Sequence, residues 1–136
     1  MKTTVNDVEF FNVKTIVDSN GNLVPIESDN DIPFPMQRVF YVYGVRDEEK
    51  RGQHAHYKTK QLLICLAGKV EVTCKDGEKE VTFLMESPQQ CLYVPEMIWD
   101  EQVYRSEDSV LLVISNTNYD PADYIHDFEQ FKALKK

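Results

Sequence analysis

The chain has 136 residues, enough for one domain with a substantial buried core, and it is 42% hydrophobic and 28% charged, the balance of an ordinary soluble globular protein. Fifteen Lys and Arg stand against 23 Asp and Glu, a net charge of −8, which argues against a general nucleic-acid binder or a protein held on an anionic membrane. No apolar run approaches the ~20 residues of a membrane helix, and Met1 to Phe10 lacks the apolar stretch of a signal peptide. Cys65, Cys74 and Cys91 are odd in number, form no C-x-x-C and sit in apolar stretches, so buried free thiols in a reducing cytoplasm are expected.

Most of the chain predicts short strands. Val8–Val17 opens the series, Asn20-Gly21 marks a hairpin turn, and Leu23–Glu27 continues as a strand. Ser28–Pro35 is a polar loop with two prolines. Arg38–Val45, rich in aromatic and β-branched residues, predicts a strand, and Arg46–Gly52, with the acidic run Asp47-Glu48-Glu49, a solvated loop. Gln61–Leu66 is an apolar run too short for a helix and predicts a buried strand ending at Ala67-Gly68. Val70, Val72 and Cys74 alternate, Asp76-Gly77 turns, and Val81, Phe83 and Met85 alternate on the return. Leu92–Val94, Ile98–Tyr104 and Val110–Ser115 complete an antiparallel sandwich or barrel.

The tail differs. Asp120 suits an N-cap, Pro121 the first helical position, and Lys132, Lys135 and Lys136 the last turn. Ile125, Phe128, Phe131 and Leu134 recur every three residues, which predicts one terminal helix with an apolar stripe, His126 being an ordinary residue on it.

The chemistry concentrates in Arg51-Gly52-Gln53-His54-Ala55-His56. On a strand, period 2 places His54 and His56 on one face, where two imidazoles bind a metal or move protons near neutral pH. The H-x-H pair, Gln61 and Gly68 resemble the first motif of the cupin superfamily. Pro95-Glu96-Met97-Ile98-Trp99-Asp100 matches the second motif, with Asp100 in the slot of a third histidine. The metal-binding form expects a Glu near position 60 or 61 and a His at 100; neither is present.

A narrower resemblance covers most of the chain. Arg38-Val39-Phe40-Tyr41-Val42-Tyr43-Gly44-Val45, the Arg51–His56 segment, Gln61–Gly68, Leu92–Trp99 and the tail Tyr119-Asp120 with Asp123-Tyr124-Ile125 resemble the sugar-nucleotide 3,4-ketoisomerases. Gln53 stands where that family often has an aromatic residue. The resemblance implies an all-β cupin (double-stranded β-helix, jelly-roll) sandwich with one C-terminal α-helix, a single domain over 1–136. It implies a metal-independent, cofactor-free homodimer of the cytoplasm, acting on dTDP-4-keto-6-deoxy-D-glucose and supplying an aminodeoxy sugar for lipopolysaccharide O-antigen or surface glycan.

Moving a ketone from C4 to C3 needs a base for the C3 proton, support for the enediol, and a proton returned at C4. By the resemblance, His54 is the main base and His56 the second acid/base, in either order. Tyr41 and Tyr43 are candidate donors to the developing oxyanion. Arg51 is expected on the diphosphate, with Arg38 and Arg46 as further cations, although Arg46 also suits pairing with its acidic neighbours. Gln61 is expected to orient a histidine or bind the sugar, and Trp99 to line the pocket or pack in the core. A related 3,5-epimerase, a metal cupin using His54, His56, Gln61 and Asp100, and a non-catalytic sugar-nucleotide binder are the alternatives. The donated N-terminal strand of such dimers follows from the resemblance alone.

Overall fold

The computed structural model describes residues 2–46 and 49–136, so Asp47 and Glu48 of the expected acidic loop lie outside the described residues. Among the described residues, twelve strands and one α-helix follow in chain order: β1 (Glu9–Asn12), β2 (Ile16–Asp18), β3 (Gly21–Leu23), β4 (Arg38–Val42), β5 (Lys50–His56), β6 (Gln61–Ala67), β7 (Val70–Lys75), β8 (Glu80–Met85), β9 (Gln90–Val94), β10 (Trp99–Tyr104), β11 (Val110–Ser115), β12 (Tyr124–Ile125) and α1 (Phe128–Lys135). One sheet runs β1-β9-β6-β11-β4 and a second β12-β5-β10-β7-β8, and β2-β3 form a small hairpin. The result is the expected cupin sandwich.

Residues directly opposite each other in antiparallel strands share a face. On the first sheet, Leu63, Cys65, Leu92, Val94, Leu111 and Val113 point inward, joined by Phe40 and Val42. On the second, Val70, Val72, Cys74, Met85 and Tyr104 meet them, and these residues form the central core. The outer face of the first sheet, Leu62, Ile64, Cys91 and Ile114, is covered by Val13, Ile32 and Phe34. The outer face of the second, Ala55, Trp99 and Ile125, is covered by α1 through Phe128 and Phe131. Gly68 closes the β6–β7 turn at φ 73°, where a Cβ would fall 2.5 Å from Ser109 Oγ, so no other residue fits without displacement.

Several expected boundaries move. Val8–Val17 is two strands with a break between. Leu23–Glu27 leaves the strand conformation after Leu23, and β4 ends at Val42 rather than Val45. Lys50–Gly52 is strand, not loop, because it pairs with Glu101, Gln102 and Val103 of β10. The tail departs most. Asp120 caps only a 3-10 turn (Pro121–Asp123), β12 then pairs with β5, and the helix begins at Phe128 with Asp127 as N-cap, accepting from Glu129 N and Gln130 N. Leu134 is accordingly exposed rather than part of the docking stripe, while Phe131 is buried.

Candidate active site

At one end of the sandwich the inner face turns polar. On β5 the register places Arg51 opposite Gln102 and His54 opposite Asp100, with a shift between Asp100 and Glu101. Gln53 is the extra residue of this bulge; Gly52 and Gln53 have φ of 81° and 58°. His56 lies opposite Tyr124 of β12. From the first sheet, Arg38 pairs with Ser115 and Ser115 with Gln61, continuing the ranks of Phe40, Val113 and Leu63. Arg38, Gln61, Arg51, His54, His56 and Asp100 therefore all lie on inward-facing positions.

The His54 and His56 rings meet edge to face with centroids 5.0 Å apart. Tyr124 packs on both, at 4.9 Å from His54 and 4.5 Å from His56. His126 stacks on Tyr124 at 5.4 Å and lies 6.0 Å from His54, so all three histidines of the chain gather here. His126 is thus not a helix residue; it follows β12 and reaches the mouth of the site. Arg38 spreads its guanidinium over Phe40 at 4.4 Å and Tyr119 at 5.2 Å.

His54 Nδ1 lies 3.0 Å from the Gly52 carbonyl oxygen. A carbonyl only accepts, so Nδ1 carries a proton, and in the neutral tautomer that this bond selects the lone pair is on Nε2. His56 is 6% exposed. Burial, then the neighbouring His54, lowers it to about 4, with Arg38 and His126 adding and Asp123 opposing, so it is neutral at physiological pH. The loop after His56 is clamped by Asp123, whose carboxylate accepts from Lys58 N at 3.0 Å, Thr59 N at 3.2 Å and the Thr59 hydroxyl. Met97 N donates to His56 O at 2.8 Å and ties β5 to the turn before β10.

These features sit in a chain whose relatives are informative. The FdtA family (WxcM-like, C-terminal) matches residues 6–136. A TDP-4-oxo-6-deoxy-α-D-glucose-3,4-oxoisomerase from Aneurinibacillus thermoaerophilus is 41% identical over 121 residues, 89% of this chain and 87% of that protein. The chain belongs to the FdtA family. Solved structures agree. A histidine-to-asparagine variant of the 3,4-ketoisomerase QdtA from Thermoanaerobacterium thermosaccharolyticum, in complex with TDP-4-keto-6-deoxyglucose, has 35% identity and a TM-score of 0.91, covering 95% of this chain and 94% of that one. WlaRA, a TDP-fucose-3,4-ketoisomerase from Campylobacter jejuni, has 33% identity and a TM-score of 0.91, with 96% of each chain covered.

Within this FdtA-type fold, not every expected residue reaches the histidines. Trp99 lies beside Asp100 on β10 and so faces the other way, into the cluster with Phe128 and Phe131, its Nε1 donating to Glu101 Oε1 at 3.2 Å. Tyr41 alternates with the inward Phe40 and Val42, and Tyr43 follows the strand end. They are 62% and 72% exposed and stack on each other at 6.2 Å. Neither points at the histidine pair. They line instead an open pocket of about 510 Å³ with Arg46, Glu49, Lys50 and Arg51. The phenol beside both imidazoles is that of Tyr124. Among the described residues no group of three or more His, Cys, Asp and Glu is arranged to hold a metal ion.

Proposed function

We propose that the chain isomerises TDP-4-keto-6-deoxyglucose to its 3-keto isomer, with His54 as the base. The observation that carries this reading is the His54 Nδ1–Gly52 carbonyl bond, which leaves Nε2 free beside a buried, neutral His56. The relatives' shared 3,4-ketoisomerase activity supports it.

The C3–H proton passes to His54 Nε2. The C3–H electron pair forms the C3–C4 double bond, and the C4 carbonyl pair moves onto its oxygen. The 3-hydroxyl loses its proton as its oxygen becomes the new carbonyl, and C4 takes a proton from His54 once the proton on Nε2 has exchanged with solvent. Neutral His56 both donates and accepts, which suits it to carry a proton from the oxygen on C3 to the oxygen on C4. Arg38 supplies positive charge near His56 and supports the enediolate oxygen. Gln61, on the same face, binds a sugar hydroxyl. Arg51, with Arg46 and Lys50 in the open pocket, takes the diphosphate, and the exposed Tyr41–Tyr43 pair offers a stacking surface for the nucleobase.

The working unit we propose is a homodimer of one-domain chains. Val39 is exposed on β4, an edge strand, and Ile16, Val17 and Leu23 are exposed on the β2–β3 hairpin. Apolar edge surface of this kind is normally covered. We place the enzyme in the cytoplasm: Cys65, Cys74 and Cys91 are free and buried, and among the described residues no helix is long and apolar enough to cross a membrane.

Proton NMR of TDP-4-keto-6-deoxyglucose in D₂O with the wild type and His54→Asn tests the chemistry. A 3-keto species deuterated at C4, absent with His54→Asn, is expected. Deuterium at C3 and C5 with an epimerised product, or an unchanged substrate, overturns it.

A further inference from the structure

Of the inward-facing polar residues named above, Asp100 alone has no role in the proposed binding or proton transfer. It lies directly opposite His54 across the β5–β10 pair, and opposite Cys74 across the β10–β7 pair. It is 2% exposed. Its Oδ2 accepts from Gln102 Nε2 at 3.0 Å, and Gln102 Oε1 accepts from the Tyr104 hydroxyl at 3.0 Å. The Tyr104 hydroxyl therefore fixes which way the Gln102 amide points, and the amide aims its donor at the carboxylate. Gly52 makes room for this arrangement. A Cβ there would stand 3.2 Å from the Asp100 carbonyl oxygen and 3.4 Å from Oδ2. The same Gly52 holds His54 by its carbonyl. A ladder of three residues on β10 thus presents a buried carboxylate to the imidazole that takes the substrate proton.

A carboxylate removed from water is costly unless a cation stands beside it. The titratable groups beside Asp100 are His54 from β5, Cys74 from β7, and Tyr104 on its own strand, while the neighbouring Glu101 turns its side chain outward to Lys50 and Lys75 but still acts on Asp100 through its charge. Burial keeps Cys74 and Tyr104 protonated. Burial raises the Asp100 carboxyl above its ordinary range, His54 and the Gln102 bond oppose that rise, and Glu101 adds to it.

We infer that Asp100, held by Gln102 and Tyr104, is a positioning residue whose carboxylate stabilises the His54 imidazolium formed when the C3 proton is taken. The inference rests on His54 as the base. Removing the anion makes His54 a weaker base without touching the substrate.

The test is the pH profile of kcat/KM for the wild type, Asp100→Asn and Tyr104→Phe, with His54→Asn run in parallel for loss of C3 exchange in D₂O. In Asp100→Asn, kcat falls on the order of tenfold, and the acid limb moves to lower pH by about one unit. Tyr104→Phe moves the limb the same way by less. A loss of activity with the acid limb unmoved assigns Asp100 a structural role and overturns the inference, as does an unchanged kcat. If Asp100→Asn does not fold, Tyr104→Phe decides, since it deletes one hydroxyl and an unmoved limb there also overturns it. A His54→Asn variant that still exchanges C3 instead overturns the base assignment, separately from the carboxylate.

Discussion

Arg51 and His54 are three residues apart on β5 yet face the same side of the sheet. An odd separation on a regular strand puts two side chains on opposite faces. Here Gln53 is inserted against β10, so Arg51 meets Gln102 and His54 meets Asp100, two positions that share a face. The bulge thereby brings a cation for the diphosphate into line with the base. It also turns the Gly52 carbonyl onto His54 Nδ1 at 3.0 Å. Bulges re-aim side chains in this way beside many active sites.

Gly52→Ala tests the bulge. At φ 81° an L-residue is strained by about 1–2 kcal/mol, and the new methyl crowds the Asp100 carbonyl at 3.2 Å. Urea denaturation is expected to show a loss of that size. Because the Gly52 carbonyl fixes the His54 ring, kcat is expected to fall with stability, whereas a variant destabilised elsewhere keeps its kcat when assayed folded.

Arg51 carries the second prediction. It is an exposed side chain in the open pocket beside Tyr41 and Tyr43, away from the reacting carbons. Arg51→Lys keeps the charge but loses the planar fork, so KM for the sugar nucleotide rises about fivefold, and Arg51→Ala raises it more than about tenfold. In both, kcat changes little. Steady-state kinetics at low and high salt check this; a fall in kcat at constant KM would place Arg51 in the chemistry instead.

The histidine pair and the sandwich are legible in the sequence because period 2 and the turn residues are local signals. Gln61, Arg38 and Arg51 follow the same logic, since the resemblance names them and the strand register places them inward. Three things are not legible. The Arg38–Val45 segment is apolar or aromatic at nearly every position, so alternation does not reveal which face is inner, and Tyr41 and Tyr43 turn out to face away. The bulge at Gln53 leaves no hydrophobic signature. In the tail, Asp120-Pro121 fits a 3-10 turn as well as a helix start, and Ile125, Phe128 and Phe131 mimic one continuous stripe although Ile125 is on β12. That misreading hid Tyr124 and His126. The available signal was Asp127, a second N-cap residue just before the last apolar repeat.

Asp123 is expected to be the most sensitive residue outside the chemistry. Its carboxylate serves two backbone N–H groups and the Thr59 hydroxyl, and the next residue is Tyr124, packed on His56. Asp123→Ala leaves those donors without their acceptor and costs about 2 kcal/mol. Asp123→Asn retains an acceptor oxygen and costs less. Activity follows the same order, because β12 holds the aromatic wall of the site. Chemical denaturation and kcat measured on all three proteins check the ranking.

The burial of His56 makes the fold sensitive to mild acid. In the native state His56 is lowered to about 4 from an unfolded value of 6.5. Above pH 6.5 both states hold it neutral and the shift has no effect on stability. As pH falls from 6.5 toward 4 the unfolded chain binds a proton that the native chain refuses, so native stability drops, and below about 4 the loss is complete. A gap of this size corresponds to about 3 kcal/mol. His56→Asn removes the titrating group, so its stability should change less between pH 7 and pH 4.5 than that of the wild type. Carboxylates that titrate in the same window are common to both proteins and cancel in the comparison. Urea unfolding at the two pH values gives the double difference directly, and a wild-type loss no larger than that of His56→Asn would show that His56 accepts its proton in the folded state at its ordinary pH.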